Sequence, residues 1–266
     1  MNRALSASLR VACGLFILAW AAFAQDTLQN GTFGTGDLTG WTAQGTANVV
    51  LTQGGIVPPA VTYQVEIASG NDAGTLDGAS NTFADVPFAN LNSPLGLAAG
   101  AFAAALPAGY TAPTNASAIY QTFTALAGAT LSFNWNFATN EAIPTPNDAA
   151  IYTLLQPGAT NALVVGLANS QTSSFTSAGA SPFLHMTGYQ TVTTTLTTAG
   201  SYTLGFISLQ TNDDRKSSAT YINNVTLIGG SPGPRPTPAP AAWSLGLLGF
   251  GFVAIYYGVR RLRRVS

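Results

Sequence analysis

Between residues 130 and 139 the apolar Leu131, Phe133, Trp135 and Phe137 alternate with the polar Ser132, Asn134 and Asn136. Successive side chains of a strand point to opposite faces, so this run has one dry face and one wet face. A second run repeats the pattern, with Val61, Tyr63, Val65 and Ile67 set against Thr62, Gln64 and Glu66. Period two with one solvated face is the signature of antiparallel sheet.

Seven more stretches read as strands: residues 47–52, 117–126, 149–155, 162–168, 189–198, 201–210 and 219–228. Leu126-Ala127-Gly128-Ala129 and Thr198-Ala199-Gly200 each join two strands closely enough for a hairpin. About nine strands in roughly 200 residues, with no internal repeat, predict an all-β antiparallel two-sheet sandwich, a jelly roll. The connection over 69–116 fits that pattern least well. Within it, residues 95–106 are open to three readings: a short helix, a further strand, or a loop covering a sandwich edge. Alanine favours the helix while Gly96 and Gly100 oppose it.

Only 7% of residues are charged, far below the quarter or so usual for soluble proteins, yet 47% hydrophobic and 10% aromatic content can build a core. Residues 25–234 hold ten acidic side chains and two basic ones, Arg215 and Lys216; two minus ten gives -8. Nucleic acid is therefore excluded as a partner, because its phosphates would be repelled.

Both ends read as targeting segments. Arg3 and Arg10 precede an apolar stretch, and Ala22-Phe23-Ala24 before Gln25 has the small residues a signal peptidase needs. Signal cleavage is expected at Ala22, Ala24 and Gln25. Cys13 lies inside this leader, so the mature chain has no cysteine and neither disulfides nor thiolate chemistry. At the other end a proline-rich linker leads to an apolar run over 241–259, which as a helix rises about 28 Å at about 1.5 Å per residue, close to the bilayer's hydrocarbon thickness. Arg260, Arg261, Arg263 and Arg264 follow as a stop-transfer cluster on the cytoplasmic side. The expected division is a signal peptide over 1–24, a sandwich domain over 25–229, a linker over 230–240, a transmembrane helix over 241–259 and a basic tail over 260–266.

Catalytic groups are scarce. His185 is the single histidine, expected in a loop beside Phe183 and Met186, and no G-x-S-x-G elbow is expected to accompany it. One histidine and no mature cysteine leave no ordinary zinc or copper site. Calcium takes oxygen ligands, and Asp37, Asp148, Asp213 and Asp214 lie in loops or at strand ends, but no EF-hand spacing supports it. Asp148 and Asp213 are expected to be turn residues bonding the local backbone. Trp135 falls on the face opposite Asn134 and Asn136, so it is expected in the core rather than in one site with those amides. The sequons at Asn30, Asn115 and Asn224 are assigned no function. The chain is read as non-enzymatic and without a cofactor.

Pro238-Ala239-Pro240, followed by Ala241-Ala242-Trp243-Ser244-Leu245-Gly246 and the arginine cluster, resembles the PEP-CTERM sorting signal of exported bacterial proteins; Ala239 stands where the family usually has Glu. The resemblance implies recognition and processing by an exosortase-like membrane protease, transient anchoring by the helix, and release to the cell surface or an extracellular polysaccharide matrix. The central region is similar to jelly-roll, carbohydrate-binding-module-like cargo domains through Asn30-Gly31-Thr32-Phe33, Tyr120-Gln121-Thr122-Phe123, Asn147-Asp148 and Tyr221-Ile222-Asn223-Asn224. Gly34 and Asn223 replace the acids that some relatives place around a structural calcium. The expected function is structural or adhesive in a biofilm, the alternative a lectin-like module for exopolysaccharide.

Overall fold

The structure, a computed structural model, describes residues 28–52, 55–59, 63–72, 81–82, 84–102, 104–179, 182–212 and 216–231. The signal-cleavage residues, Asp213, Asp214, the sorting motif, the apolar run over 241–259 and the arginine cluster all lie outside them. Among the described residues no helix is long and apolar enough to cross a membrane.

The strands are β1 (Thr42–Gln44), β2 (Thr46–Val50), β3 (Gln64–Ser69), β4 (Asn71–Asp72), β5 (Asn81–Thr82), β6 (Val86–Pro87), β7 (Asn115–Ala125) and β8 (Ala127–Thr139). They continue with β9 (Asp148–Leu155), β10 (Leu163–Asn169), β11 (Thr176–Ser177), β12 (His185–Met186), β13 (Gln190–Leu196), β14 (Gly200–Gln210) and β15 (Ser218–Ser231). One sheet has the order β1-β7-β14-β9-β10 with β6 beside β7, and the other the order β11-β12-β8-β15-β3-β2 with β13 beside β8. The pairings are antiparallel. Number the longer strands β3, β7, β8, β9, β10, β13, β14 and β15 from first to eighth. One sheet then reads second-seventh-fourth-fifth and the other first-eighth-third-sixth, which is a jelly roll.

The predicted alternation places the core. Leu131, Phe133, Trp135 and Phe137 of β8 point between the sheets, where they meet Tyr152 and Phe206 of the opposite sheet. The Phe133 ring packs edge-on to Phe206 at 4.8 Å and to Tyr152 at 5.2 Å, the arrangement that ring quadrupoles favour. Phe33 and Trp41 from the N-terminal turn close the same cluster, 5.6 Å apart. Phe33 holds φ 54°, and the chain reverses there through a bond from Phe33 N to Asn30 O.

Two expectations are corrected. Neither Leu126-Ala127-Gly128-Ala129 nor Thr198-Ala199-Gly200 makes a hairpin. β7 and β14 lie in one sheet while β8 and β13 lie in the other, so both turns carry the chain across the sandwich. In a hairpin or a crossing alike, the apolar residues of both strands face one core, so the alternation does not distinguish them. The connection over 69–116 covers a face rather than an edge. A 3-10 turn (Phe88–Leu91) and one α-helical turn, α1 (Asn92–Leu95), are followed by turns, and Phe88, Leu91, Leu95, Phe102 and Leu106 pack on the outer side of Ala118, Ile151, Ile207 and Leu209. Those four residues alternate with the inward ones, so β7, β9 and β14 are apolar on both sides and need this second cover.

Candidate functional site

The outer face of the second sheet is covered differently at its two ends. Toward Ala138 and Ala219 it is buried by Ile56, Ala178 and Phe183. Toward Ala129 it stays open, because β13 there is Thr-rich and presents every second residue outward. Register places Thr191 beside Asn134 and Asn134 beside Asn223; Thr193 beside Ser132 and Ser132 beside Thr226; Thr195 beside Thr130. Thr191, Thr193 and Thr195 are exposed, and Thr130, Ser132, Asn134 and Thr226 are half-buried. At the usual strand spacing of about 4.8 Å, three strands make a shelf about 10 Å wide.

The shelf is hydrogen-bonded within itself. Thr191 Oγ1 donates to Asn134 Oδ1 at 2.8 Å, and Asn134 Nδ2 donates to Asn223 Oδ1 at 3.1 Å. Ser132 Oγ lies 3.2 Å from Thr193 Oγ1 and donates to Val192 O at 3.1 Å. These bonds fix the amides and use the hydroxyl protons of Thr191, Ser132 and Thr193, while leaving oxygen lone pairs and the second amide proton of Asn134 for a ligand. No shelf residue carries a charge.

Tyr189 bounds the shelf. Its hydroxyl donates to Gln64 Oε1 of β3, so the half-buried ring crosses the outer side of β15, which lies between β8 and β3. Gln64 is held in turn by bonds from Nε2 to Leu51 O at 2.9 Å and Ile56 O at 3.1 Å. Burial pushes the Tyr189 phenol well above its ordinary pKa, with the Asn223 amide opposing, so it stays a neutral donor. An aromatic ring beside fixed amides and hydroxyls is a combination that can receive a neutral, polyhydroxylated molecule.

Trp135 is buried in the core and Asn134 and Asn136 are on the other face, as alternation required. Only Asn134 reaches the shelf, because Asn136 is buried where Thr187 Oγ1 donates to its Oδ1 at 3.1 Å. Tyr189, Thr191 and Thr193 were not singled out from the sequence, although the alternation of residues 189–198 carried the signal for the threonines; Asn223 was noted only as standing in place of a calcium-site acid.

Asp37 lies in a loop and Asp148 at a strand end, as expected, but the role of Asp148 differs. Asp148 is not a turn residue: it opens β9, fully buried, and accepts from Ser218 Oγ of β15 in the opposite sheet. Thr139 Oγ1 lies 2.7 Å from the same Ser218 Oγ, which accepts from it while donating to the carboxylate. The preceding Asn147 is also buried and bonds across the fold: its Oδ1 accepts from Asn212 N at 3.1 Å and its Nδ2 donates to Glu141 Oε1 at 2.9 Å. Asp37 does behave as a turn residue; bonds from Thr35 Oγ1 and Thr39 N hold its carboxyl below the ordinary pKa. No group of three His, Cys, Asp or Glu side chains converges among the described residues.

His185 lies in the short strand β12 rather than in a loop, its ring 6.2 Å from Phe175. Contrary to expectation, one string does have the G-x-S-x-G spacing: Gly229-Gly230-Ser231-Pro232-Gly233. Ser231 is the last residue of β15 and pairs with Ala127 in the ladder; Pro232 and Gly233 lie outside the described residues. A cleft of about 510 Å³ opens in the cover of the first sheet, lined by uncharged residues that include Phe88, Phe102 and Tyr110.

No protein-family model matches the chain, and no curated protein matches it. Solved structures similar to it include a family 61 carbohydrate-binding module in complex with β-1,4-galactotriose, at TM-score 0.41 and 11% identity over 77% of this chain and 99% of that one. A xylan-binding domain from Paenibacillus barcinonensis is similar at TM-score 0.33 and 11% identity, over 80% and 100%. The enzymatically active domain of bacteriophage CBA120 tailspike protein 4 is similar at TM-score 0.36 and 10% identity, over 76% and 21%. At these scores the likenesses carry no argument about function; the jelly roll rests on the strand order.

Proposed function

We propose that the chain is a non-catalytic carbohydrate-binding module that holds a neutral polysaccharide against the outer face of its second sheet. The observation that carries this reading is the uncharged shelf of Thr191, Thr193, Ser132 and Asn134, fixed by its own hydrogen bonds and bounded by the anchored ring of Tyr189. A glycan brings hydroxyls that both donate and accept, matched by threonine hydroxyls and amides, and apolar C–H faces, matched by an aromatic ring. The absence of charge on the shelf favours a neutral chain over an acidic one, which the domain's net negative charge would repel.

Targeting is the second part of the proposal and rests on the sequence. The leader ending at Ala24 starts export, the apolar run over 241–259 halts it with Arg260, Arg261, Arg263 and Arg264 inside, and an exosortase-like protease acts near Pro238-Ala239-Pro240 to deliver the domain to the surface or matrix. Mass spectrometry of the mature C-terminus tests this. Loss of residues 260–266 from the surface fraction is expected, and their recovery intact there would contradict processing. Binding is tested by affinity electrophoresis of residues 25–231 through gels containing neutral polysaccharides and the cell's own exopolysaccharide. Retardation by at least one is expected; unchanged mobility in all would contradict the reading.

A further inference from the structure

The two sheets end in edge strands that are protected in different ways, with one exception. β1 and β6 have three residues and two. β10 is broken by an irregularity between Gly166 and Ala168, and the chain beside it is tied down by a bond from Ala162 N to Gly96 O at 2.7 Å. At β2, Ala84 N donates to Thr46 Oγ1 at 2.8 Å. Short strands, bulges and covering segments are the usual devices that keep open ladders from pairing with other chains.

β13 has none of them. It pairs with β8 over seven consecutive residues without a register shift, and among the described residues no strand pairs with its other side. Residues 189–199 contain no charge, no proline and no glycine. A regular strand directs half of its backbone N–H and C=O groups away from its one partner, so among the described residues this edge carries an unpaired ladder. The neutral sequence gives no electrostatic preference for a charged partner and no repulsion between two copies.

We infer that β13 pairs antiparallel with β13 of a second copy of this chain, on a two-fold axis through Thr193. That register sets Thr193 opposite Thr193 and Thr191 opposite Thr195 on the outer face, and Val192 opposite Thr194 on the inner one. Threonine pairs across a ladder are favourable, and a two-fold contact of this kind is self-complementary. The second sheets of two sandwiches become one continuous sheet. A single strand pair is smaller than the roughly 1,200 Å² of a stable complex, so the contact forms where copies are crowded. It stands independently of carbohydrate binding.

The test uses the full chain in intact expressing cells. Cys13→Ser removes the only native cysteine, and a single cysteine is then placed at Thr193 or, as a control for mere proximity, at the exposed Thr122 on the other sheet. Directly opposed positions come within disulfide reach, so oxidation with diamide should give Thr193→Cys at least about fivefold more cross-linked dimer than Thr122→Cys. Adding Thr195→Lys should return cross-linking to the control level with protease resistance unchanged. Equal cross-linking at the two positions, or cross-linking at 193 that survives Thr195→Lys, would overturn the inference.

Discussion

Tyr221 of β15 donates its hydroxyl to Glu66 Oε1 of β3 at 2.7 Å, and the two residues face each other directly in the ladder. Both are buried, Glu66 at 5% exposure and Tyr221 at 0%. A carboxylate in so dry a place depends on its hydrogen bonds. Tyr221→Phe is therefore expected to cost about 1.5–3 kcal/mol, the range for a hydrogen bond to a charged group. Urea unfolding measures it; a cost below 0.5 kcal/mol, on the order of a neutral surface change, would contradict the role given to this bond.

Burial raises the pKa of Tyr110, Tyr152, Tyr189 and Tyr221 above the ordinary phenol value of about 10, and at Tyr221 the Glu66 charge adds to the effect. Above pH 10 the unfolded chain loses these protons before the folded one does. The stabilisation is thus complete below pH 10 and is lost as pH rises through the folded-state pKa values. The unfolding midpoint should fall on the alkaline side, and the double variant Tyr189→Phe, Tyr221→Phe should show a shallower fall. Parallel pH profiles for the variant and the parent would contradict this.

Gly31 is placed where no side chain fits. A Cβ there would stand 1.9 Å from Val225 O and 2.7 Å from Leu28 Cδ2, while Gly31 O accepts from Val225 N at 2.8 Å. Gly31→Ala must push the N-terminal segment off β15, at about 1–3 kcal/mol by analogy with overpacked cores. Differential scanning calorimetry should show a drop of several degrees, since 1 kcal/mol corresponds to about 2–4 °C in a chain of this size.

Adjacent residues of β8 should separate stability from binding. Trp135→Ala empties a core site and is expected to cost about 3–5 kcal/mol. Asn134→Ala removes a half-buried amide from the shelf, and should weaken polysaccharide binding while leaving most of the stability. Chemical denaturation and calorimetric titration of both variants check the contrast.

The strands were legible because alternation is a local property. All nine stretches read from the sequence overlap strands, and Phe133, Trp135 and Phe137 face inward as their spacing required. What was not legible is relational. Gly128 at φ 80° marks a turn, but nothing local says that the next strand joins the opposite sheet. Asp148 follows an asparagine and so resembles a turn residue; only the fold brings Ser218, seventy positions away, against its carboxylate. The shelf was half legible. Alternation puts Thr191, Thr193 and Asn134 on wet faces, while the reach of Tyr189 to Gln64 spans 125 positions of sequence.

The most direct test of the shelf as a carbohydrate site is calorimetric titration of residues 25–231 with the polysaccharide that retards it, before and after the paired change Thr191→Ala, Asn134→Ala. The expected result is saturable binding by the parent, weakened about tenfold or more in the variant, or 1.4 kcal/mol and upward, with little change in unfolding midpoint. Equal affinities in the two proteins would contradict the placement of the site, and no saturable binding by the parent would contradict carbohydrate binding itself.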